Sequence, residues 1–358
     1  MTAGADRSAT GPVDQGADRP PTGPVDQSAD RSTPAFQGAD RSAPAVQGAG
    51  GADRSAESAG VPGAGDDSVV VGQAAVDQLL EVLDLRQHDG FTFRGESPRV
   101  GPLRVFGGQV AGQALVAAGR TVDPERRVHS LHGYFVRPGD PEEPIEYHVE
   151  NIRDGGSFSV RRSVAVQHGK TIFFMSASFH RPEDGLDHHA PVPLDVPGPD
   201  EVPTMEQRLA RYPERLGALA AAPRSVDVRY VGEPGWVPPG DRPATAQQRV
   251  WMRIDGKLPD DPLIHACALT YASDLTLLDS VLAVHGEVWG PGGVIGASLD
   301  HALWFHRPFR ADEWFLYDCA SPSASGGRGL ATGRMITLEG RHIASAVQEG
   351  LLRRVGRS

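Results

Sequence analysis

From Val69 onward, apolar residues recur at two spacings, and each spacing predicts its own kind of element. Ala75, Val76, Leu79, Leu80 and Leu83 stand three and four apart, predicting a short amphipathic helix to about Leu85. Phe91-Thr92-Phe93 reads as a strand. Val105 to Ala118 is apolar almost all round and predicts a buried helix, opened by Gly107-Gly108 where small residues let backbones approach. Extended segments follow at about 128–137, 144–152, 157–168 and 171–180. Their β-branched and aromatic residues, separated by turn signals such as Asp154-Gly155 and His168-Gly169, predict an antiparallel meander.

From Arg181 to about Arg242 prolines interrupt the pattern, among them Pro191, Pro193, Pro197, Pro199 and Pro203, with a short helical piece near Met205 to Ala222. This is expected to be a linker running over the surface. The order then begins again. Strands near 226–231 and 247–254 precede a helix from about Ile264 to Leu282, and strands at 294–307, 314–322, 328–338 and 342–353 complete it. A helix apolar on nearly every side, followed by a curled antiparallel sheet, implies a sheet wrapped around the helix. The expected fold is α+β, a tandem (double) hot-dog whose two units pair edge to edge across a pseudo-two-fold. The units expected are a tail at 1–68, an N-terminal hot-dog at 69–185, a linker at 186–225 and a C-terminal hot-dog at 226–355.

The two halves also share residues. Tyr134-Phe135-Val136-Arg137-Pro138 returns as Trp304-Phe305-His306-Arg307-Pro308, 170 residues on. Gly155-Gly156 returns as Gly326-Gly327, Gly169-Lys170 as Gly340-Arg341 and Ile172 as Ile343, all at an offset of 171. A duplication is the economical explanation. In that register Gln348 stands opposite Ala177 and Ser298 opposite Val128, while Asp274 falls against a stretch, Val100 to Val122, that holds no acid. One half carries polar groups where the other is apolar, which points to one working half and one supporting half.

Composition changes the picture mainly at the start of the chain. The first 68 residues have almost nothing to bury and repeat a short unit, as in Gly4-Ala5-Asp6-Arg7 and Gly51-Ala52-Asp53-Arg54; a disordered low-complexity tail is expected. It has neither the basic start nor the apolar core of a signal peptide. About half of the net charge of -11 comes from it. No basic stripe argues for nucleic acid, and no apolar run is long enough to span a membrane. Cys267 and Cys319 are the two cysteines, in neither a metal-ligand nor a CxxC spacing, so a disulfide scaffold is excluded and a reducing cytoplasm fits.

Asp274 is the first candidate for chemistry. At 100° per residue, Cys267, Ala268, Tyr271, Leu275, Leu278 and Leu282 share one arc of the predicted helix, and Asp274 lies inside it. A carboxylate on a buried face is costly unless bonded, so either it caps something beneath or it works. Asp279 lies nearer the edge of the arc and draws little attention. Ser298 and Gln348 are unremarkable alone, as a small strand residue and a solvated strand amide. Their replacement by Val128 and Ala177 in the other half is what raises them. If their strands cross the helix at Asp274, a carboxylate, a hydroxyl and an amide converge, enough to hold a water and take its proton.

Other constellations fall short. No GxSxG elbow, dinucleotide fingerprint or phosphate loop appears. His129 and His132, and the pair His188-His189, lack an accompanying acid or cysteine cluster, so metal is not expected. His301 and His306 flank Trp304 on a predicted strand and read as structural polar groups. Arg137 and Arg307 precede prolines and read as turn-fixing residues, with nucleotide phosphates as the alternative partner.

Together the motifs resemble the bacterial acyl-CoA thioesterase II family. The resemblance is carried by Val105-Phe106-Gly107-Gly108-Gln109-Val110, the run from Val128 to Asp140, Arg153 to Phe173, Tyr271-Ala272-Ser273-Asp274-Leu275, Asp300 to Phe309, Ser323-Ala324-Ser325 and Val347-Gln348-Glu349-Gly350. It spans about Val69 to Arg354. It implies hydrolysis of fatty acyl-CoA to free fatty acid and CoA, with no cofactor and no metal, in a homo-oligomer of double hot-dog subunits. The family's water-activating Asp, Thr and Gln fall on Asp274, Ser298 and Gln348. Serine for threonine is a departure that keeps the hydroxyl but loses the methyl restricting its rotamer. Two alternatives stay open: a hot-dog enoyl-CoA hydratase, and a non-catalytic acyl-CoA-binding protein.

Overall fold

The computed structural model describes residues 69–98, 104–193, 195–212, 224–237, 245–290 and 293–355. The tail expected over 1–68 and most of the helical piece expected near Met205 to Ala222 lie outside them; what is described of the latter is α3 (Met205–Leu209).

In the first half, α1 (Gly72–Leu83), β1 (Arg86–Gln87) and β2 (Thr92–Gly95) precede α2 (Gly107–Gly119), and β3 (Arg127–Phe135), β4 (Ile145–Asp154), β5 (Phe158–Gln167) and β6 (Lys170–His180) follow it. The second half repeats the plan. There β7 (Val226–Tyr230) and β8 (Gln247–Ile254) lead to α4 (Pro262–Ser273) and α5 (Asp279–His285), then to β9 (Val294–Ser298), β10 (Asp300–Phe305), β11 (Phe315–Ser325), β12 (Arg328–Thr337) and β13 (His342–Arg354). Among the described residues the strands form one antiparallel sheet in the order β1-β2-β4-β5-β6-β3-β10-β13-β12-β11-β8-β7, with β9 pairing β13. Each half thus mirrors the other outward from the seam where β3 meets β10, Leu131 opposite Leu303.

Strand pairing reproduces the register of the repeat. Val128 pairs Phe179 in the first half and Ser298 pairs Gly350 in the second, offsets of 170 and 171. One difference matters. β3 stays one strand, with a register shift between Val128 and Ser130, whereas its counterpart breaks at Leu299, where the Asp300 carboxylate takes the Glu349 N–H at 2.6 Å. Beyond that break β9 pairs β13 and leaves β3.

The core lies between sheet and helices. Phe93, Tyr147, Phe173, Phe179, Phe315 and Tyr317 are wholly buried, and burying such a ring stabilises by about 1.5–3 kcal/mol. The central helices α2 and α4 touch backbone to backbone, as Gly107-Gly108 suggested: a methyl added at Gly108 would lie 2.4 Å from the Tyr271 carbonyl oxygen. α2 is less apolar than its sequence implied. Gln113 is fully buried, its amide donating to the Val82 and Glu96 carbonyls and accepting from the Tyr147 hydroxyl at 2.7 Å.

The long helix expected from Ile264 to Leu282 is two helices. Asp261 caps α4 by accepting the Leu263 N–H, with Pro262 in the first turn. At the other end the Ser273 carbonyl, which a continuing helix would bond to residue 277, instead accepts the Tyr317 hydroxyl at 3.1 Å. Tight i to i+3 bonds carry the chain through 275–281, and α5 ends on Gly286 at φ 61°. Leu275 is therefore 38% exposed rather than on a buried arc, and Asp279, expected near the edge, is only 5% exposed and accepts from Tyr230 and Trp289.

The linker does more than connect. Val192, Val196 and Val202 pack on Trp251, Leu316 and Ile336, covering the outer face of the second half's sheet, and Trp251 donates to the Pro197 carbonyl at 2.8 Å.

Candidate active site

Asp274 occupies the residue that ends α4, at φ -86° and ψ -6°. β13 and β9 bring the other two candidates to it. Gln348 Nε2 donates to Asp274 Oδ1 at 2.5 Å and to Ser298 Oγ at 2.9 Å, and Ser298 Oγ donates to Asp274 Oδ1 at 3.3 Å. The structure brings together all three residues singled out from the sequence. The first half adds a fourth element, the start of α2. The Gly108 N–H lies near enough to the Asp274 carboxylate to favour its charged form, and a methyl on Gly107 would lie 2.6 Å from Asp274 Oδ2.

Two opposing effects set the charge of Asp274. Burial among protein atoms disfavours the carboxylate, while the bonds from Gln348, Ser298 and the Gly108 N–H favour it; burial wins, and the carboxyl is pushed up to about 6. The residue nevertheless keeps part of its surface open, so a small molecule can reach it. Gln348 is wholly buried, and its Oε1 has no hydrogen-bond partner among the described residues.

The two-fold counterpart of the site is built differently. Arg161 faces Ala177 across β5 and β6 where Ala331 faces Gln348 across β12 and β13. The Arg161 guanidinium is 2% exposed and donates to Thr121 Oγ1 at 2.9 Å, the Thr121 carbonyl at 3.0 Å and Asn151 Oδ1 at 2.8 Å, with Asp154 as its ion pair. A fully bonded cation fills that end of α2, where the second half has Asp274, Ser298 and Gln348 together.

The remaining candidates have local duties. His129 bonds Ser178 Oγ at 2.8 Å and His132 packs edge-on to Trp304. Arg137 donates to the Thr171 carbonyl at 2.7 Å and Arg307 to the His342 carbonyl at 2.6 Å, equivalent acceptors 171 residues apart, so both fix turns; Arg307 also pairs with Asp187. His188 offers its carbonyl to Arg307, and His306 bonds Ser345 Oγ. Sequence reasoning missed the start of α2 as part of the site, since Gly107-Gly108 signalled close packing without saying against what.

The chain is similar to known acyl-CoA thioesterases. The family described as acyl-CoA thioesterase matches residues 227–351, and the acyl-CoA thioesterase N-terminal domain matches 93–180. The chain is 39% identical over 284 residues to acyl-CoA thioesterase 2 of Haemophilus influenzae, covering 78% of this chain and 98% of that protein. It is 38% identical over 309 residues to human acyl-coenzyme A thioesterase 8, covering 81% and 93%. Among solved structures, an acyl-CoA thioesterase II from Mycobacterium marinum superposes with a TM-score of 0.63 at 44% identity, covering 78% of this chain and 99% of that one. A hot-dog protein from Alicyclobacillus acidocaldarius, at 20% identity and a TM-score of 0.61, shares the fold. The chain belongs to the acyl-CoA thioesterase family, hydrolases of acyl-CoA thioester bonds.

Proposed function

We propose that this chain hydrolyses fatty acyl-CoA to a free fatty acid and CoA by general-base activation of water at Asp274, Ser298 and Gln348. The supporting observation is the convergence of the three side chains at 2.5–3.3 Å in one half only. Asp274 takes a proton from a water oriented by Ser298 and Gln348. The water oxygen attacks the thioester carbonyl carbon. The resulting oxyanion is held by first-turn N–H groups of α2, which a helix cannot satisfy from within. As the tetrahedral intermediate collapses, the C–S bond breaks and the proton on Asp274 passes to the departing sulfur. A base whose pKa lies near the working pH is suited to both transfers.

The working unit is the C-terminal hot-dog at 226–355, supported by 69–185 across the β3–β10 seam. Among the described residues no helix is long and apolar enough to cross a membrane. Two buried free cysteines, Cys267 and Cys319, accord with a reducing cytoplasm. Outer-face residues left open in the first half, such as Tyr134 and Phe158, support assembly into a homo-oligomer.

Asp274→Asn tests the assignment. Turnover should fall about 10²–10⁴-fold with the fold intact, and thiol release at near the wild-type rate would overturn it. Crotonyl-CoA should yield thiol; loss of the enoyl absorbance without thiol would indicate a hydratase. Tight acyl-CoA binding without turnover at every chain length would indicate a binding protein.

A further inference from the structure

Beside the site lies a buried histidine that the mechanism does not use. His301 is 1% exposed on β10, three residues after Ser298. Its Nε2 stands 2.7 Å from Oγ of Ser273, the residue before Asp274. Ser273 Oγ already donates its proton to the Thr270 carbonyl at 2.8 Å, so it accepts from His301, and the ring proton sits on Nε2. Nδ1 is then an acceptor, buried and without a partner among the described residues. Burial pushes the imidazole down to about 4, which keeps it neutral.

An unsatisfied buried acceptor is a cost that folding alone does not require here. The first half shows why. At the offset of 170 that carries Val128 onto Ser298, Leu131 corresponds to His301, and Leu131 is wholly buried without any such penalty. A leucine therefore fits this place in the sheet. The second half keeps a histidine whose hydrogen bond runs to the residue preceding the candidate base. Ser273 is fixed twice, through its hydroxyl by His301 and through its carbonyl by Tyr317, and Asp274 follows it in a helix end with no further side-chain cap on that carbonyl.

We propose that His301 is a positioning residue: by donating from Nε2 to Ser273 Oγ it fixes the end of α4, and with it the aim of the Asp274 carboxylate toward Gln348 and the water. The inference rests on the reading of Asp274 as the general base.

The experiment measures thiol release from acyl-CoA and thermal melting for His301→Leu, His301→Gln, Ser273→Ala, the double variant His301→Leu/Ser273→Ala, and Asp274→Asn. His301→Leu should melt no lower than the wild type, keep KM and lose about 10- to 100-fold in kcat, the scale of a misaimed reacting group. His301→Gln, whose Nε2 reaches the same oxygen, should recover most of that loss. Ser273→Ala should lower kcat on its own at unchanged KM, and His301→Leu should then add nothing. Wild-type kcat in His301→Leu, no recovery in His301→Gln, or additive losses in the double variant would each overturn the proposal. Should His301→Leu fail to fold, Ser273→Ala at wild-type kcat would overturn it. Full activity in Asp274→Asn would instead overturn the base assignment, whereas an inactive Asp274→Asn beside a normal His301→Leu removes the positioning role alone.

Discussion

Gln348 Nε2 and Asp274 Oδ1 stand 2.5 Å apart, joining the last strand of the chain to the end of a central helix across 74 residues. The amide does two things at once. It holds the carboxylate in place, and it favours the charged form against the burial that pushes it up.

Gln348→Ala should therefore be damaged in two measurable ways. Turnover should fall about 100-fold, as expected when a base loses its orienting partner, and the acid limb of the pH–rate profile should move to higher pH. Ala177→Gln, at the equivalent place in the first half, should change thiol release little. A Gln348→Ala enzyme with an unshifted limb would mean that the amide does not tune the base.

The pH dependence has a definite sign. As the proposed base, Asp274 acts only when ionised, so kcat/KM, which reports the free enzyme, should rise with pH through about 6 and level off above it. Stability runs the other way. Raised from 3.8 to about 6 in the fold, the carboxyl contributes stability that is present below 3.8 and lost as pH rises to about 6. Asp274→Asn should thus gain on the wild type across that window, by at most about 3 kcal/mol. Chemical denaturation of both proteins at pH 4 and pH 7 measures the gain.

Gly107→Ala should separate helix propensity from function. Alanine normally favours a helix over glycine by about 0.5–1 kcal/mol, yet here the methyl would lie 2.6 Å from Asp274 Oδ2. The expected result is a loss of at least about tenfold in kcat with helix content by circular dichroism unchanged. Unaltered kcat would show that the start of α2 lies farther from the reacting centre.

Ser298 should matter less than Gln348. Its hydroxyl reaches Asp274 at 3.3 Å, a long bond, whereas Gln348 reaches Ser298 at 2.9 Å. Ser298→Ala should cost about tenfold or less, near 1.4 kcal/mol of barrier, and Ser298→Thr should keep full activity because the hydroxyl remains. Comparison of kcat for the two variants decides the matter.

Most strands were legible in the sequence because alternation and turn residues act locally: β8, expected at 247–254, spans Gln247–Ile254. Ser298 and Gln348 were legible for another reason, the contrast with Val128 and Ala177. What stayed hidden depends on distant partners. The break after Ser273 leaves no mark in the local pattern, since Leu277, Leu278, Val281 and Leu282 continue it; the partner that the freed Ser273 carbonyl takes is a tyrosine 44 residues away. Asp279 looked peripheral on a straight helix and is buried on a bent one. His301 looked structural because its partner, Ser273, faces it only once β10 is laid over the end of α4.

The backbone contact of Gly108 with Tyr271 has a consequence for how the chain could be divided. One face of the site comes from residues before the linker and the rest from residues after it, so neither fragment alone carries a complete set. A chain opened in the linker would regain activity only as fast as its pieces find each other. The two parts also share the β3–β10 seam and the close approach of α2 to α4, so the candidate site would last in a cut chain only while its pieces stay paired.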